Sequence, residues 1–219
     1  MNTGSDAGGP LENSVYPPSY FQRHDPAEDA AFYEFPRKVV HIDDGAIEAL
    51  GRVYAELLPH TGTVLDLMSS WRTHLPDRLA ARAALSVVGL GMNAEEMADN
   101  PQLSRFVVHD LNRDPHLPFP EAAFDGAMCA VSVQYLTRPI EVFADLARVL
   151  KPGAPGLLSF SNRCFPDKAV AIWQNTTDEQ HVQLVASYFR FAGGWSQPET
   201  RAHRPSTGDP LYVVWARRA

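Results

Sequence analysis

Residues 124–162 read FDGAMCAVSVQYLTRPIEVFADLARVLKPGAPGLLSFSN, and this stretch decides the fold. FDGAMCAVSV and GLLSFSN are short apolar runs of strand length. Between them, residues 139–150 place Ile140, Val142, Phe143, Leu146 and Val149 at helical spacing. Pro139 stands where the first turn of a helix tolerates it, and KPGAPG stops that helix. Strand, helix and strand in succession is the unit that builds a parallel sheet, because a parallel partner needs a crossover of about a dozen residues.

Outward from there the same alternation continues. TVLDLM (63–68), LSVVGLGM (85–92) and RFVVHDL (105–111) read as three earlier strands, and PLYVVWARR (210–218) as a final one, antiparallel near the sheet edge. Helices are expected at 41–59, with Asp43 or Asp44 as N-cap, over 70–83, from Ala94, and across 178–194. Runs that are apolar throughout, separated by helices, imply a sheet covered on both faces, hence a doubly wound α/β domain. Residues 1–25 are rich in Gly, Pro, Ser and Asn. They are expected to form a flexible N-terminal arm before a single domain over 26–219, with Tyr16, Tyr20 and Phe21 able to dock on it.

Composition narrows the function. The 219 residues carry 19 Lys plus Arg against 26 Asp plus Glu, a net charge of −7, which disfavours nucleic acid and anionic membranes as partners. Two cysteines, Cys129 and Cys164, make no disulfide framework, and no Cys/His spacing suits a metal. No apolar run spans a bilayer and the first residues lack a leader pattern, so a soluble, cytoplasmic protein is expected.

In an open parallel sheet the ligand lies beyond the carboxyl ends of the strands, where strand order reverses. The residues that follow the strands are therefore the site candidates. They are Asp66, Met68, Ser69, Ser70 and Trp71; then Met92 and Asn93; then Asp110, Leu111 and Asn112; then Ser132 and Tyr135; and last Asn162 and Arg163. Ser69 and Ser70 serve equally as a helix N-cap, and Asn112 as a turn former.

The segment HDLNRDPHLPFPEAAFDGAMCAVSVQYLTRPIEVFADLARVLKPGA, residues 109–154, resembles the class I S-adenosylmethionine-dependent methyltransferases, type 11-like, with their third-strand acid, LPF…FD approach and RVLKPGG turn. The resemblance runs from about Thr63 to Pro152 and weakly beyond. It implies a Rossmann-like, mostly parallel seven-stranded sheet with helices on both faces and an antiparallel last strand. It also implies S-adenosylmethionine as cofactor and a small-molecule methyl acceptor. The turn Asp66–Ser70 would receive the amino-acid end of the cofactor, Asp110 the adenine amino group, and Ser132 and Tyr135 the methionyl part. Met92 and Leu111 would line the adenine.

Two departures stand out. MSSW replaces the glycine-rich turn, and the usual ribose-binding acid aligns with Gly91, so Asn93 is the expected substitute. Serines are small enough to permit close approach and add hydroxyl contacts. His41 is the expected general base, with Asp43, His74 and His181 as other acid–base candidates, while Asn162 and Arg163 are expected to hold the substrate. Two alternatives remain. One is a non-catalytic protein that keeps the fold. The other, a nicotinamide-dependent oxidoreductase, needs a Gly-x-Gly turn and a second-strand acid that are both missing.

Overall fold

The computed structural model describes residues 15–80 and 84–219. Seven strands form one sheet: β1 (Gly62–Leu67), β2 (Leu85–Gly91), β3 (Arg105–Val108), β4 (Gly126–Ala130), β5 (Pro155–Phe160), β6 (Glu199–His203) and β7 (Leu211–Arg217), in the order β3-β2-β1-β4-β5-β7-β6. The first five run parallel, and β7 is antiparallel to both β5 and β6. Strand order reverses between β1 and β4. That gap opens the crevice at the carboxyl ends.

Helices cover both faces. On one side α2 (Asp44–Leu57) buries Ala46, Leu50, Val53 and Tyr54 against Val64, Val87 and Val213. Asp43 caps this helix, accepting the Ala46 N–H at 2.8 Å. On the other side α5 (Pro139–Val149) and α7 (Asp178–Ala192) pack Phe143, Leu146, Tyr188 and Phe189 together over Leu65, Cys129 and Leu158. Thr177 and Gln180 close a reciprocal capping box at the start of α7. The strand β5 is buried at every position, as its apolar run requires. Short helices α1 (Asp29–Phe32), α3 (Asp77–Ala80), α4 (Ala94–Ala98) and α6 (Ala171–Gln174) complete the layers. Among the described residues no helix is long and apolar enough to cross a membrane, and Cys129 and Cys164 are free thiols.

Two expectations need revision. The helix read over 70–83 is confined to α3, with residues 81–83 outside the described residues; 71–76 are irregular. Side chains claim that backbone first. Gln102 bonds both the Leu75 N–H, at 3.1 Å, and the Leu75 carbonyl, at 2.8 Å, and Asn100 donates to the Ser70 carbonyl at 2.9 Å. Pro76 also keeps Leu75 out of the helical region. The seventh strand, β6, came from no apolar run, because its ETRAH sequence lies at the exposed sheet edge beyond β7.

Residues 15–25, assigned by composition to the flexible arm, are docked; residues 1–14 of that arm lie outside the described residues. Tyr16 sets its ring edge against Phe21, Tyr188 and Phe191, and its hydroxyl meets that of Ser187. The chain is then latched. Lys168 is fully buried, with Nζ 2.9 Å from the Ala27 carbonyl, 2.9 Å from Asp25 and 3.3 Å from Asp29. Asp29 also takes Arg23 at 2.7 Å and the amide of Asn112 at 2.7 Å. This network fastens the N-terminal segment to the loops after β3 and β5. Lys168→Met leaves the buried Asp29 with Arg23 alone as its cation and the partly exposed Asp25 without its ion pair, so it should lower unfolding free energy by about 2 kcal/mol, read from the urea midpoint.

Candidate functional site

A cavity of about 500 Å³ opens at the carboxyl ends of β1, β2 and β4. That volume lies within the range of roughly 300–1,000 Å³ usual for small-molecule sites. Its floor is the turn Asp66–Ser70, the end of β2 and the residues after β3 and β4. Its roof is the latched N-terminal segment, through Tyr33, Val40 and His41, together with Phe165 from the loop after β5. Among the described residues four non-glycines have left-handed backbone angles, and three of them, Met68, His74 and Val131, line this cavity. For Val131 the conformation is costly because its side chain is β-branched; bonds from its N–H to Ser159 and to its carbonyl from Gln134, each 2.8 Å, hold it.

The glycine-poor turn makes its close approach with glycines from the neighbouring strand. The Ser69 N–H bonds the Leu90 carbonyl at 2.8 Å, laying the turn across β2. A Cβ at Gly91 would lie 2.0 Å from the Ser69 carbonyl oxygen, and one at Gly89 would meet the Ser69 hydroxyl at 3.1 Å. No side chain fits at Gly91. The absence of an acid there is therefore a packing requirement of this particular turn.

Asp66 sits beneath the turn, buried, accepting the hydroxyls of Ser69 at 2.7 Å and Thr73 at 2.9 Å. Burial pushes its carboxyl up to about 6, against the pull of those two bonds. The hydroxyl of Ser70 is bound by Glu96, a buried carboxylate whose other oxygen accepts the Arg37 N–H. Sequence reasoning missed Glu96. The signal was present in NAEE, an N-cap followed three residues later by Glu, though here the acid reaches to Ser70 rather than back to its own cap.

Asn93 borders the cavity, but its amide is committed. It donates to the carbonyls of Tyr33 at 2.8 Å and Glu34 at 3.3 Å, while its oxygen caps α4 through the Glu96 N–H at 2.9 Å. Its position thus serves to hold the roof, and the expected ribose contact has no free donor. Asp110 folds its own loop, one oxygen accepting the N–H groups of Asn112 at 2.9 Å and Arg113 at 3.2 Å. Its second oxygen faces no partner among the described residues. Asn112 is more than a turn former, since it joins Asp29, the Tyr135 carbonyl and Thr137.

Met68, Met92, Leu111 and Ser132 line the cavity, Leu111 with its side chain mainly in the core. Tyr135 stacks on Phe165 at 6.0 Å and its hydroxyl accepts the Phe165 N–H at 2.9 Å. Burial pushes that phenol up to about 12, so it stays protonated. His41 and His74 both reach the cavity and make no hydrogen bond to the described residues. Burial lowers both imidazoles, His74 to about 4.

Other candidates fall away from the chemistry. His181 is stacked on Trp173 at 3.9 Å, outside the cavity. Asp43 exchanges backbone N–H bonds with Asp209, at 2.9 Å and 2.7 Å. Arg163 and Asn162 do line the rim, but Arg163 is already paired with Asp209 at 2.7 Å, and Asn162 is exposed. Trp71 lies outside the cavity lining, its face covered by Arg72 at 3.5 Å.

Comparison with known proteins fits this architecture. Residues 74–158 match a family model described as a methyltransferase domain. A search of curated protein sequences finds no significant match. Among solved structures, a methyltransferase of Aquifex aeolicus described as S-adenosylmethionine-dependent is 18% identical, covers 93% of this chain and 100% of its own, and superposes with a TM-score of 0.54. The phosphoethanolamine N-methyltransferase 2 of Haemonchus contortus, solved with S-adenosyl-L-methionine, is 11% identical over 95% of this chain and 59% of its own, with a TM-score of 0.56. SpnF, a 4+2 cyclase, is 17% identical over 87% of this chain and 90% of its own, with a TM-score of 0.59. At these identities the likeness is one of fold.

The buried carboxyl yields a pH signature. Its folded-state value, about 6, lies above the ordinary 3.8, so folding takes up a proton. The stabilisation is complete below about 4 and is lost as pH rises through about 6. Relative to wild type, Asp66→Asn should therefore gain on the order of 3 kcal/mol between pH 4 and pH 7.5, measured by urea unfolding at both.

Proposed function

We propose that this chain, a class I S-adenosylmethionine-dependent methyltransferase by its fold and its matched segment, binds that cofactor in the cavity and methylates a small-molecule acceptor. The observation that carries the reading is the cradle formed where the Ser69 carbonyl crosses Gly91, at the point where strand order reverses. A side chain at Gly91 would displace the turn that shapes the pocket, and one at Gly89 would press first on Leu103 and then on the Ser69 hydroxyl.

The residues present fit the group. Asp66, Met68, Ser69 and Ser70 would hold its amino-acid end, the free oxygen of Asp110 the adenine amino group, and Met92 and Leu111 the adenine faces. With the amide of Asn93 committed, the ribose hydroxyls fall to Glu96, the cavity-lining carboxylate that follows β2. Ser132 and Tyr135 flank the remainder. When bound, the cofactor supplies an activated methyl group and its own leaving group.

What the chain must do is orient the acceptor and exclude water. The latched N-terminal segment does the second. His41 is the cavity base in this reading, an imidazole held neutral by burial and so able to take a proton from a hydroxyl acceptor. Tyr135, its phenol kept protonated by burial, does not serve as that base.

Two other readings are weighed by particular features. The antiparallel β7 between β5 and β6 departs from the 3-2-1-4-5-6 parallel order of dinucleotide-binding sheets, which counts against a nicotinamide enzyme. A protein that keeps the cofactor without methylating draws support from the rebuilt turn and from the cyclase among the structural relatives.

Calorimetry with S-adenosylmethionine and S-adenosylhomocysteine tests the binding. Micromolar dissociation constants are expected, and no heat at millimolar ligand would refute the assignment. Asp110→Ala should weaken binding several-fold, about 1 kcal/mol for one hydrogen bond, with an unchanged constant refuting the adenine placement. Transfer of labelled methyl into a small-molecule extract separates a methyltransferase from a cofactor-retaining protein.

A further inference from the structure

The roof end of the cavity differs in charge from its floor. Arg37 from the roof and Arg72 from the loop after β1 both line the cavity, half-buried, and neither forms an ion pair with a described residue. Each guanidinium is fixed in place. Arg37 lies 4.1 Å above the Phe32 ring with one nitrogen on the Phe32 carbonyl at 2.7 Å. Arg72 lies 3.5 Å above Trp71 with one nitrogen on the Trp71 carbonyl at 2.8 Å. A guanidinium has five N–H donors, so most of each fork remains to be used.

One carboxylate, Glu96, lines the cavity beside Arg37 without forming an ion pair with either guanidinium. Burial disfavours charge on both imidazoles; for His41 the Glu96 carboxylate opposes this more strongly than Arg37 adds to it, while His41 and Arg72 both add to it for His74. Both rings face the cavity without a hydrogen bond. Glu96 accepts the Ser70 hydroxyl on one oxygen and the Arg37 backbone N–H on the other, and Asp29 is already paired with Arg23 and Lys168. Arg163, the cation expected from the sequence to hold substrate, is neutralised by Asp209. In a chain of net charge −7, two aromatic-braced guanidiniums without an ion pair to a described residue line one cavity with two imidazoles, the kind of donors an oxyanion takes.

We infer that the acceptor is a small acid, bearing a carboxylate or phosphate that Arg37 and Arg72 bind while its nucleophilic group faces His41 and His74. The inference rests on the methyltransferase reading only in calling this ligand the acceptor; the anion site stands on its own geometry.

The test is calorimetric titration of the full-length protein, with and without saturating S-adenosylhomocysteine, by 4-hydroxybenzoate, phenyl phosphate and the neutral 4-hydroxybenzamide. At least one anion should bind about tenfold more tightly than the amide, as a charge-assisted pair exceeds a neutral one, and its affinity should fall as salt is raised. The tighter of the two anions identifies the headgroup. Arg37→Gln and Arg72→Gln should each weaken that anion about fivefold and leave amide and S-adenosylhomocysteine binding unchanged. An amide that binds as well as both anions, anions weaker than millimolar, or a double variant that keeps the preference would overturn the proposal. Anion selectivity without S-adenosylhomocysteine binding would instead sink the cofactor assignment and leave the anion site standing.

Discussion

The crossing of the Ser69 carbonyl over Gly91 is the constraint from which the site is built. It brings the turn after β1 into contact with β2, and three consequences follow. Asp66 must be covered, and the hydroxyls of Ser69 and Thr73 cover it. The backbone from Ser70 to Pro76 is pinned by Asn100 and Gln102 and cannot coil into a helix. The end of β2 cannot carry a side chain, so the carboxylate on that side is supplied from α4, by Glu96. A turn without glycines is compatible with a close-fitting site because what matters is the separation of two backbones, and either partner can lack the Cβ.

A second theme is how the cavity is closed. Its roof is a segment of little regular structure that cannot be held by a ladder of main-chain bonds. Side chains hold it instead. The carboxylate of Asp29 gathers Arg23, Lys168 and Asn112, and Asn93 reaches up to the carbonyls of Tyr33 and Glu34. Buried charges are expensive unless paired and hydrogen-bonded, and here each is satisfied by several partners from different loops. That cross-linking makes the roof part of the structure, and it places Arg37 and His41 over the crevice. The floor offers hydroxyls, backbone groups and acids; the roof adds the guanidinium of Arg37 and the imidazole of His41, and the loop after β1 adds Arg72 and His74. A cavity divided in this way suits two ligands of different charge held face to face.

Much was legible in the sequence because it depended on local chemistry. The five parallel strands announced themselves as apolar runs, and α2, α5 and α7 by their caps and apolar spacing. The register from His109 to Ala154 carried the fold. The positions after each strand were the right places to look, since Asp66, Ser69, Asp110, Ser132 and Tyr135 all border the cavity. The strand β6 was not legible, because an exposed edge strand needs no apolar pattern. Glu96, Lys168 and Arg37 were passed over for another reason. Their roles come from partners about 26 to 141 residues away in sequence, and no spacing rule reports such meetings.

By itself, then, the sequence determined the layers of this protein and the end of the sheet where its chemistry lies, because strand burial, helix spacing and caps act over a few residues. The tertiary structure decided what each polar side chain is free to do. Asn93 and Arg163 stand at the cavity yet are already bonded, while Arg37 and Arg72 reach it without an ion pair, and His41 and His74 without a hydrogen bond, to a described residue. The physical reason is that a polar group's function depends on which of its hydrogen bonds and charges remain unsatisfied. That remainder exists only once distant segments have packed.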